Sequence, residues 1–138
     1  LQEFKDKYGK LEGVKIKGYL PEEEMLDTLV DSDVFVNPTY LKEGIVLVNI
    51  QAMKLGVPVI ATDTGASSEA IENYTDGLLI TPKDTEQLFT QMMFLSRFED
   101  VQRLFAKNAK ERAKEFNAFD SGKNLERILL EIVNKKRE

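Results

Sequence analysis

The hydrophobic residues in the middle of the chain fall into two short continuous runs with a helical pattern between them. The runs occupy residues 34–37 and 58–61 and show no alternation with polar positions. Such runs are typical of strands in a parallel sheet that is covered on both faces. Between the runs, a helix ending at Gly56 is predicted by apolar residues at helical spacing, namely Val46, Leu47, Ile50 and Met53. The pattern therefore predicts a strand, a loop, a helix and a second strand, in that order.

The residues before this unit continue the alternation of helices and strands. Apolar spacing predicts a short helix over residues 1–11 that ends near Gly9 or Gly13, and apolar residues alternating with lysine predict an edge strand over residues 14–18. Pro21 and the three glutamates after it predict the start of a helix, since proline fits the first helical position and carboxylates favour the positive end. The predicted buried stripe of this helix is Met25, Leu26, Leu29 and Val30.

The second half of the chain predicts one more strand and several helices. Residues 67–73 indicate a short helix and residues 77–81 the last strand. Asp84 and Gln87 resemble a capping box and predict the start of a helix. The residues of this helix that are predicted to face inward are Leu88, Phe89, Met92 and Met93. Two amphipathic helices follow, one with Val101, Leu104, Phe105, Ala109, Ala113 and Phe116, the other with Leu125, Ile128, Leu129 and Ile132. The fold class predicted is α/β, a Rossmann-like parallel sheet flanked by helices, with a helical tail over about 85–138.

The composition narrows the kinds of partner and of chemistry. The 138 residues suffice for one domain, and a net charge of −5 disfavours nucleic acid and an anionic membrane surface as partners. The chain has no cysteine and no histidine, which excludes disulfides, thiolate chemistry, a histidine general base and a histidine metal ligand. The lack of cysteine fits a cytoplasmic location. No apolar run approaches the roughly 18–20 residues that span a bilayer.

The loop between the first buried strand and the central helix is the candidate ligand site. In open α/β sheets, ligands bind where the carboxyl end of a strand leads into a helix. The unpaired N–H groups and the positive dipole end of such a helix favour a phosphate. Gly13 and Gly18 have the spacing of a P-loop, but Tyr19 and Leu20 replace its Lys-Ser/Thr, and no Gly-x-Gly of a dinucleotide site occurs. The residues alone therefore predict a nucleotide or phosphate-ligand site at this loop.

Three motifs surround this loop: EGIVLVNIQAM, then GVPVIATDTG, then DGLLITPKD. In order and spacing they resemble the donor-binding half of a retaining GT-B glycosyltransferase of the large group 1 family (family 4). The matching residues are Pro38, Glu43, Gly44, Leu47, Val48, Ala52, Met53, Gly56, Pro58, Val59, Ile60, Ala61, Thr62, Gly65, Glu69, Gly77, Leu78, Leu79, Pro82 and Asp84. The resemblance implies that residues 1–138 are a donor-binding domain fragment, the C-terminal half of a GT-B fold with its first strands missing. A start at Leu1 agrees with a piece of a longer protein.

Carried over residue by residue, the resemblance implies a set of donor-binding residues. Glu43 would face the donor sugar and help to hold its hydroxyls, which makes it the catalytic-site candidate. The backbone N–H groups that would contact the diphosphate and sugar belong to Gly44, Ile45, Val46 and Leu47. The loop that would line the base pocket consists of Gly18, Tyr19 and Leu20. Gln51 stands where the family usually has a glutamate that accepts hydrogen bonds from the ribose hydroxyls.

The same resemblance implies an activity for the full-length protein. It would move a sugar from a UDP- or GDP-sugar to a growing glycan or glycolipid, by a front-face attack assisted by the leaving phosphate. No covalent protein nucleophile, metal or further cofactor is expected. The acceptor would bind to an N-terminal domain, and the family's Arg/Lys pair for the diphosphate lies outside these residues, so the chain alone is expected to be inactive. The expected location is the cytoplasm, with peripheral membrane association of the full-length protein left open.

Three residues depart from the family pattern. Ile45 and Val46 replace an aromatic residue and a second glycine, and the β-branched Val46 narrows the room for close backbone approach. Gln51 keeps a carbonyl acceptor but lacks the charge of glutamate. Because charge-assisted hydrogen bonds are about twice as strong as neutral ones, we expect Gln51 to weaken ribose binding by about 1 kcal/mol.

The sequence leaves alternatives open for each assignment. Glu43 also fits a solvated loop acid or a helix cap, Tyr19 a half-buried packed aromatic, and Gln51 a plain exposed helix residue. For the whole chain, one alternative is a non-catalytic GT-B-like partner domain with a decayed donor site, which Val46 and Gln51 support. The other is a sugar-nucleotide epimerase, which the lack of histidine disfavours.

Overall fold

The computed structural model describes residues 2–41 and 46–116. Its elements are α1 (Gln2–Tyr8), α2 (Glu22–Val30), β1 (Phe35–Asn37), α3 (Leu47–Leu55), β2 (Val59–Thr62), α4 (Ser67–Ala70), β3 (Gly77–Ile80), α5 (Thr85–Arg97), α6 (Glu99–Arg112) and a 3-10 turn at Ala113–Phe116. The helix predicted around residues 125–132, and with it the end of the predicted tail, lies outside the described residues. In the described part of the chain, no helix combines the length and the apolar character that crossing a membrane requires.

The three strands form one parallel sheet in the order β1–β2–β3. β1 pairs with β2 in a register that places Phe35 beside Val59, and β2 pairs with β3 so that Val59 lies beside Gly77. Because the strands are parallel, each connection between them must cross a face of the sheet, and helices fill these connections. The predicted fold class, a parallel sheet flanked by helices, is confirmed.

Two hydrophobic clusters cover the two faces of the sheet. Successive residues of a strand point to opposite faces, so Val59 and Ala61 pack against α3 while Ile60 between them faces α5. The first cluster contains Leu29, Ile50, Ala52, Met53, Val57, Val59, Ala61, Ala70, Ile71, Leu79, Ala109 and Ala113. The second contains Ile60, Leu78, Ile80, Leu95 and Phe105. Burial on both faces explains why the strand sequences are continuously apolar.

The helix ends follow local signals in the sequence. Gly56 ends α3 in the left-handed conformation, with φ of 78°, which glycine adopts without steric cost. Asp84 caps α5, since its carboxylate accepts a hydrogen bond from the Gln87 N–H at 2.8 Å. The reciprocal half of the predicted capping box is absent, because the Gln87 side chain accepts from the Thr81 N–H at 2.6 Å instead. Pro21 takes the N-cap position of α2, one residue before the predicted place.

The prediction of an edge strand over residues 14–18 is wrong. These residues have no strand assignment, and most of their side chains are exposed. The Lys17 ammonium group donates to the Thr28 hydroxyl at 2.9 Å, which ties the segment to α2 rather than to the sheet. Alternation of apolar and polar residues produces a strand only where a neighbouring strand offers hydrogen bonds, and no described strand lies next to this segment.

Several apolar residues that were predicted to face inward are exposed. β1 is half-buried rather than buried, and the short helix predicted over 67–73 is limited to α4. On α5 the buried residues are Gln91 and Leu95. Gln91 can be buried because its amide donates a hydrogen bond to the Tyr74 hydroxyl at 3.1 Å. The exposed residues are Val30, Phe89, Met92 and Leu104. The sheet is too narrow to cover every apolar position that these helices offer.

Candidate functional site

The carboxyl ends of the three strands lie side by side along one edge of the sheet, called here the carboxyl edge. The register aligns Asn37 with Ala61 and Thr62 with Ile80, so all three strands end within about one residue of each other. The segments that leave them begin at Pro38, Asp63 and Thr81. In an open parallel sheet this edge is the expected place for a ligand.

The amino end of α3 lies at the carboxyl edge and has features that favour an anion. Val46 takes the N-cap position without a side-chain hydrogen bond to the helix, and the first turn contains no acidic residue. Leu47, the first helical residue, is 75% exposed. The first amides of a helix have no intrahelical partner and carry the positive end of the dipole. Each other helix that the structure describes has a carboxylate in its first turn, which would oppose an anion.

A hydrogen bond between two asparagine side chains joins the end of β1 to the first turn of α3. The Asn37 amide donates to the Asn49 side-chain carbonyl at 2.9 Å. Asn37 is the last residue of β1, and Asn49 lies in the first turn of α3 with only 1% of its surface exposed. The bond therefore holds together the two elements between which the candidate loop runs.

The start of α2 reaches the same edge. Gly18 turns the chain in the left-handed conformation, with φ of 80°, and the following residues lead into α2 at Glu22. The Gln51 amide donates to the Glu22 carboxylate at 3.3 Å. This contact joins the amino-terminal part of α2 to the second turn of α3, so residues 18–20 and the start of α3 lie on the same side of the sheet.

A cation–π contact connects the outer two loops of the carboxyl edge. The Lys83 ammonium group lies 5.4 Å from the centroid of the Tyr40 ring. Tyr40 follows β1 and Lys83 follows β3, so the contact passes over the end of β2, which lies between them. Lys83 has a φ of 65°, a conformation uncommon for a residue other than glycine. The contact therefore links Tyr40, in the segment that follows β1, to the segment that follows β3.

Comparison with known proteins identifies the family. The sequence pattern of the family described as "Glycosyl transferases group 1" matches residues 1–112, which is most of the chain. The chain belongs to this family. The resemblance drawn from the three sequence motifs is thereby confirmed.

Two curated relatives of this group 1 chain that are named glycosyltransferases show the extent of the similarity. A putative teichuronic acid biosynthesis glycosyltransferase of Bacillus subtilis is 36% identical over 110 residues, which are 79% of this chain and 27% of the relative. An amylovoran biosynthesis glycosyltransferase of Erwinia amylovora is 32% identical over 123 residues, which are 84% of this chain and 30% of the relative. The chain thus spans less than a third of the length of these relatives.

Solved structures share the fold of the group 1 chain. Sucrose-phosphate synthase from Thermosynechococcus elongatus superposes with a TM-score of 0.84 at 24% identity, over 97% of this chain and 34% of that one. The Anabaena protein HepE, solved in complex with UDP-glucose, superposes with a TM-score of 0.81 at 21% identity, over 94% and 35%. The C-terminal domain of a group 1 family protein from Francisella tularensis gives 0.71 at 23% identity, over 83% and 58%.

The structure brings together those predicted donor-binding residues that it describes. Gly18, Tyr19 and Leu20 precede α2, while Val46, Leu47 and Gln51 lie at the start of α3, and the Glu22–Gln51 contact connects the two groups. Glu43, Gly44 and Ile45 lie outside the described residues. The roles of all of these residues stay predictions.

One of the alternative interpretations is wrong for this group 1 chain. Tyr19 is 92% exposed, so it is not a half-buried aromatic that packs against its own domain. Gln51 is partly exposed and its amide donates to the Glu22 carboxylate at 3.3 Å, a contact that a surface residue of a helix can also make, so both interpretations of Gln51 stay predictions. Sequence analysis missed the contact of Glu22 with Gln51 because three consecutive glutamates at a helix start are explained by the helix dipole alone.

An ion pair with a buried carboxylate, at the opposite edge of the sheet, was also not predicted. Asp76 lies just before β3 with 2% of its surface exposed, and Arg112 of α6 lies 3.3 Å from its carboxylate. Burial raises the pKa of the Asp76 carboxyl, while a hydrogen bond from the Glu72 N–H and the charge of Arg112 oppose that rise. Arg112 also donates to the backbone carbonyls of Glu69 and Ala70, each at 2.9 Å. The pair fastens α6 to the sheet and to α4, which is a structural task.

A surface cleft of about 740 Å³ lies beside β1, away from the predicted donor residues. Its lining includes Asp31, Asp33 and Glu99, whose carboxylates disfavour an anion. Its arginine, Arg103, is already bound to Glu99 and Asp100. Among residues 2–41 and 46–116, no three potential metal-ligating side chains converge on one point. The carboxyl edge is therefore the candidate site.

Proposed function

We propose that this chain is the donor-binding domain of a retaining glycosyltransferase. The full-length protein would transfer a sugar from a nucleotide diphosphate sugar to a glycan or lipid-linked acceptor, in polysaccharide biosynthesis. The observation that carries the proposal is the uncapped amino end of α3 at the carboxyl edge, with residues 18–20 beside it. In this proposal, residues 18–20 bind the base of the nucleoside diphosphate, and the amino end of α3 binds its diphosphate group.

The comparisons support a sugar nucleotide as the donor. The Anabaena protein was solved with UDP and with UDP-glucose, and the curated relatives are named for the synthesis of teichuronic acid, amylovoran and colanic acid. Tyr19 would lie against the base, since its exposed ring offers an apolar face. Glu43 would hold the hydroxyls of the sugar. Neither a metal ion nor a further cofactor has a part in this proposal.

The chemistry asked of the domain is electrostatic. In a retaining front-face reaction, the bond from the anomeric carbon to the diphosphate oxygen breaks, and the acceptor oxygen bonds to the same face of that carbon. The acceptor proton passes to the leaving diphosphate. Negative charge grows on the diphosphate as this happens, and the amides at the start of α3 would stabilise it in a preorganised way. We propose that the acceptor binds to an N-terminal domain, that the protein acts in the cytoplasm, and that the 138-residue chain alone transfers no sugar.

Titration of the isotope-labelled chain with UDP, GDP and their sugar conjugates tests the proposal. We expect changes in backbone amide chemical shift that are confined to residues 18–20 and 43–51. The nucleotide that binds with the higher affinity, UDP or GDP, identifies the base. Shifts centred on the cleft that Asp33 and Arg103 line would contradict the proposed site. Absence of shifts with every nucleotide would favour the non-catalytic partner domain with a decayed donor site.

A further inference from the structure

The outward side of α5 carries an apolar groove on the surface of the domain. The groove has a volume of about 380 Å³, and the Phe89 ring at one end of it is 64% exposed. Met93 and Phe94 lie beside it and are only half-buried. A contiguous apolar patch of this kind on a helix surface is typical of a place where another molecule packs.

The spacing of residues along α5 continues this groove into a stripe. Steps of four, three and four residues return to the same side of a helix, and such steps connect positions 86, 90, 93 and 97. Positions 89 and 94 flank this line on either side. The outer stripe, as it is called here, consists of Glu86, Phe89, Thr90, Met93, Phe94 and Arg97.

The two ends of the outer stripe carry opposite charges. Glu86 lies in the first turn of α5 and Arg97 in the last. Both are exposed, and neither takes part in the ion pairs found among residues 2–41 and 46–116. The helix dipole favours a carboxylate at the start of a helix and a cation at its end, but it does not require either to lie in line with the apolar groove.

The outer stripe is symmetric about the middle of α5. A twofold axis between positions 91 and 92 would pair α5 with an antiparallel copy of itself, in which each contact occurs twice. Glu86 of one copy then lies opposite Arg97 of the other, at both ends of the stripe. Phe89 lies opposite Phe94 in the same way, so the apolar middle of one stripe meets the apolar middle of the other.

We propose that the outer stripe binds a second copy of this chain through an antiparallel pair of α5 helices. Charge complementarity argues for this occupant, because the twofold axis gives both exposed charges an opposite partner while it covers the groove. α5 begins at the carboxyl edge, so antiparallel pairing directs the two carboxyl edges to opposite ends of the dimer and leaves both open. The inference therefore does not depend on the proposed function.

The size of the stripe predicts a weak dimer. A helix of 13 residues is about 20 Å long, so one helix pair buries less surface than a stable obligate dimer does. We expect a Kd on the order of 100 µM. Such a dimer forms at the concentrations that sedimentation equilibrium can reach.

Sedimentation equilibrium of the 138-residue chain tests the inference with one variant and its control. Phe89→Glu places a carboxylate in the apolar middle of the interface, and it should raise the dimer Kd about tenfold or more. Met92→Glu is the matched control. Met92 is also an exposed apolar residue of α5, at 46%, but it lines the cleft beside β1 instead of the outer stripe. It should leave the Kd unchanged.

Exchange of the two charges tests the antiparallel geometry. Glu86→Arg alone and Arg97→Glu alone each bring like charges together at both ends of the dimer, so each should raise the Kd about tenfold. An equimolar mixture of the two single variants should form a heterodimer, because every cation then faces an anion. The double variant should recover the wild-type Kd for the same reason, and circular dichroism checks that each variant is folded.

Every other outcome overturns the inference. If the chain stays monomeric at about 1 mM, well above the expected Kd, the outer stripe does not bind a second copy. A monomer that Phe89→Glu destabilises and Met92→Glu does not would mean that the chain covers the stripe itself. A dimer that tolerates Phe89→Glu, or whose two charge variants fail to form a heterodimer, uses another surface. The proposed function stands in each case, because nucleotide titration tests it separately.

Discussion

Asn37 and Asn49 meet at 2.9 Å across the start of the candidate donor loop, although one belongs to the sheet and the other to a helix. Asn49 is buried, so its side chain has no access to water as a substitute partner. An unsatisfied buried amide costs about 1–3 kcal/mol. This one bond therefore couples the stability of the domain to the geometry of its proposed site.

Asn49→Ala should lower the free energy of unfolding by about 2 kcal/mol, since it leaves the half-buried Asn37 amide without its acceptor. Urea denaturation measures the loss. The control is Asn108→Ala, which removes a more exposed amide that donates to the Thr75 carbonyl. We expect it to lower the free energy of unfolding by less. Equal costs for the two variants would contradict the importance of the Asn37–Asn49 bond.

Leu47→Asp should change stability and nucleotide binding in opposite directions. A carboxylate at the first position of α3 interacts favourably with the helix dipole, which stabilises the fold by about 0.5 kcal/mol. The same charge repels the diphosphate of the donor, and we expect about tenfold weaker UDP or GDP binding. Thermal unfolding and nucleotide titration measure the two effects. Leu104→Asp, at another exposed leucine, should leave nucleotide binding unchanged.

The Lys83–Tyr40 contact should contribute to holding the donor loop. In a double-mutant cycle with Lys83→Met and Tyr40→Leu, we expect a coupling of about 0.5–1 kcal/mol in nucleotide binding, the usual range for an exposed cation–π pair. Lys83→Arg should preserve it. The matched control is the cycle of Lys7 and Tyr8, a similar pair at 5.1 Å within α1. That control should show no coupling in nucleotide binding, and a result of zero for both cycles would exclude the contact from a role in the site.

Arg112→Met should destabilise the domain more at pH 7 than at pH 4. At neutral pH the variant leaves the buried Asp76 carboxylate without its cation, which we expect to cost about 2 kcal/mol because Arg112 itself is partly exposed. The pKa of Asp76 already lies above its ordinary value of 3.8 because of burial, and loss of Arg112 raises that pKa further.

The sign of the pH effect follows from that shift. A raised carboxyl pKa favours the folded state when the group is protonated, so its contribution is complete below pH 3.8 and is lost as the pH rises through the folded-state pKa. Chemical denaturation at the two pH values measures the difference. Arg103→Met removes an arginine whose ion pairs are exposed and should be nearly neutral at both.

The local parts of the fold could be predicted because their causes lie close together in the sequence. The two continuous apolar runs identified β1 and β2, Gly56 ended α3, and Asp84 capped α5. The candidate loop followed from the same pattern, since a strand that leads into a helix places that loop at the carboxyl edge. Family motifs then suggested which residues there bind the donor.

The contacts between distant elements at the carboxyl edge could not be predicted in the same way. Glu22 meets Gln51, and Lys83 meets Tyr40, between elements that are distant in sequence. Nothing in the three glutamates after Pro21 distinguishes the one that reaches α3. The choice depends on how α2 packs against α3, which is a property of the assembled core.

The sequence by itself determined the class of the fold, the order of its elements and the loop at which a ligand would bind, because hydrophobic periodicity and helix ends are local. Tertiary structure alone decided that residues 14–18 form no strand, that Phe89 and Met92 face outward, and that Asp76 and Arg112 pair. Each of these outcomes depends on which partner is present in space, since hydrogen bonding, burial and charge pairing are completed only by a neighbour.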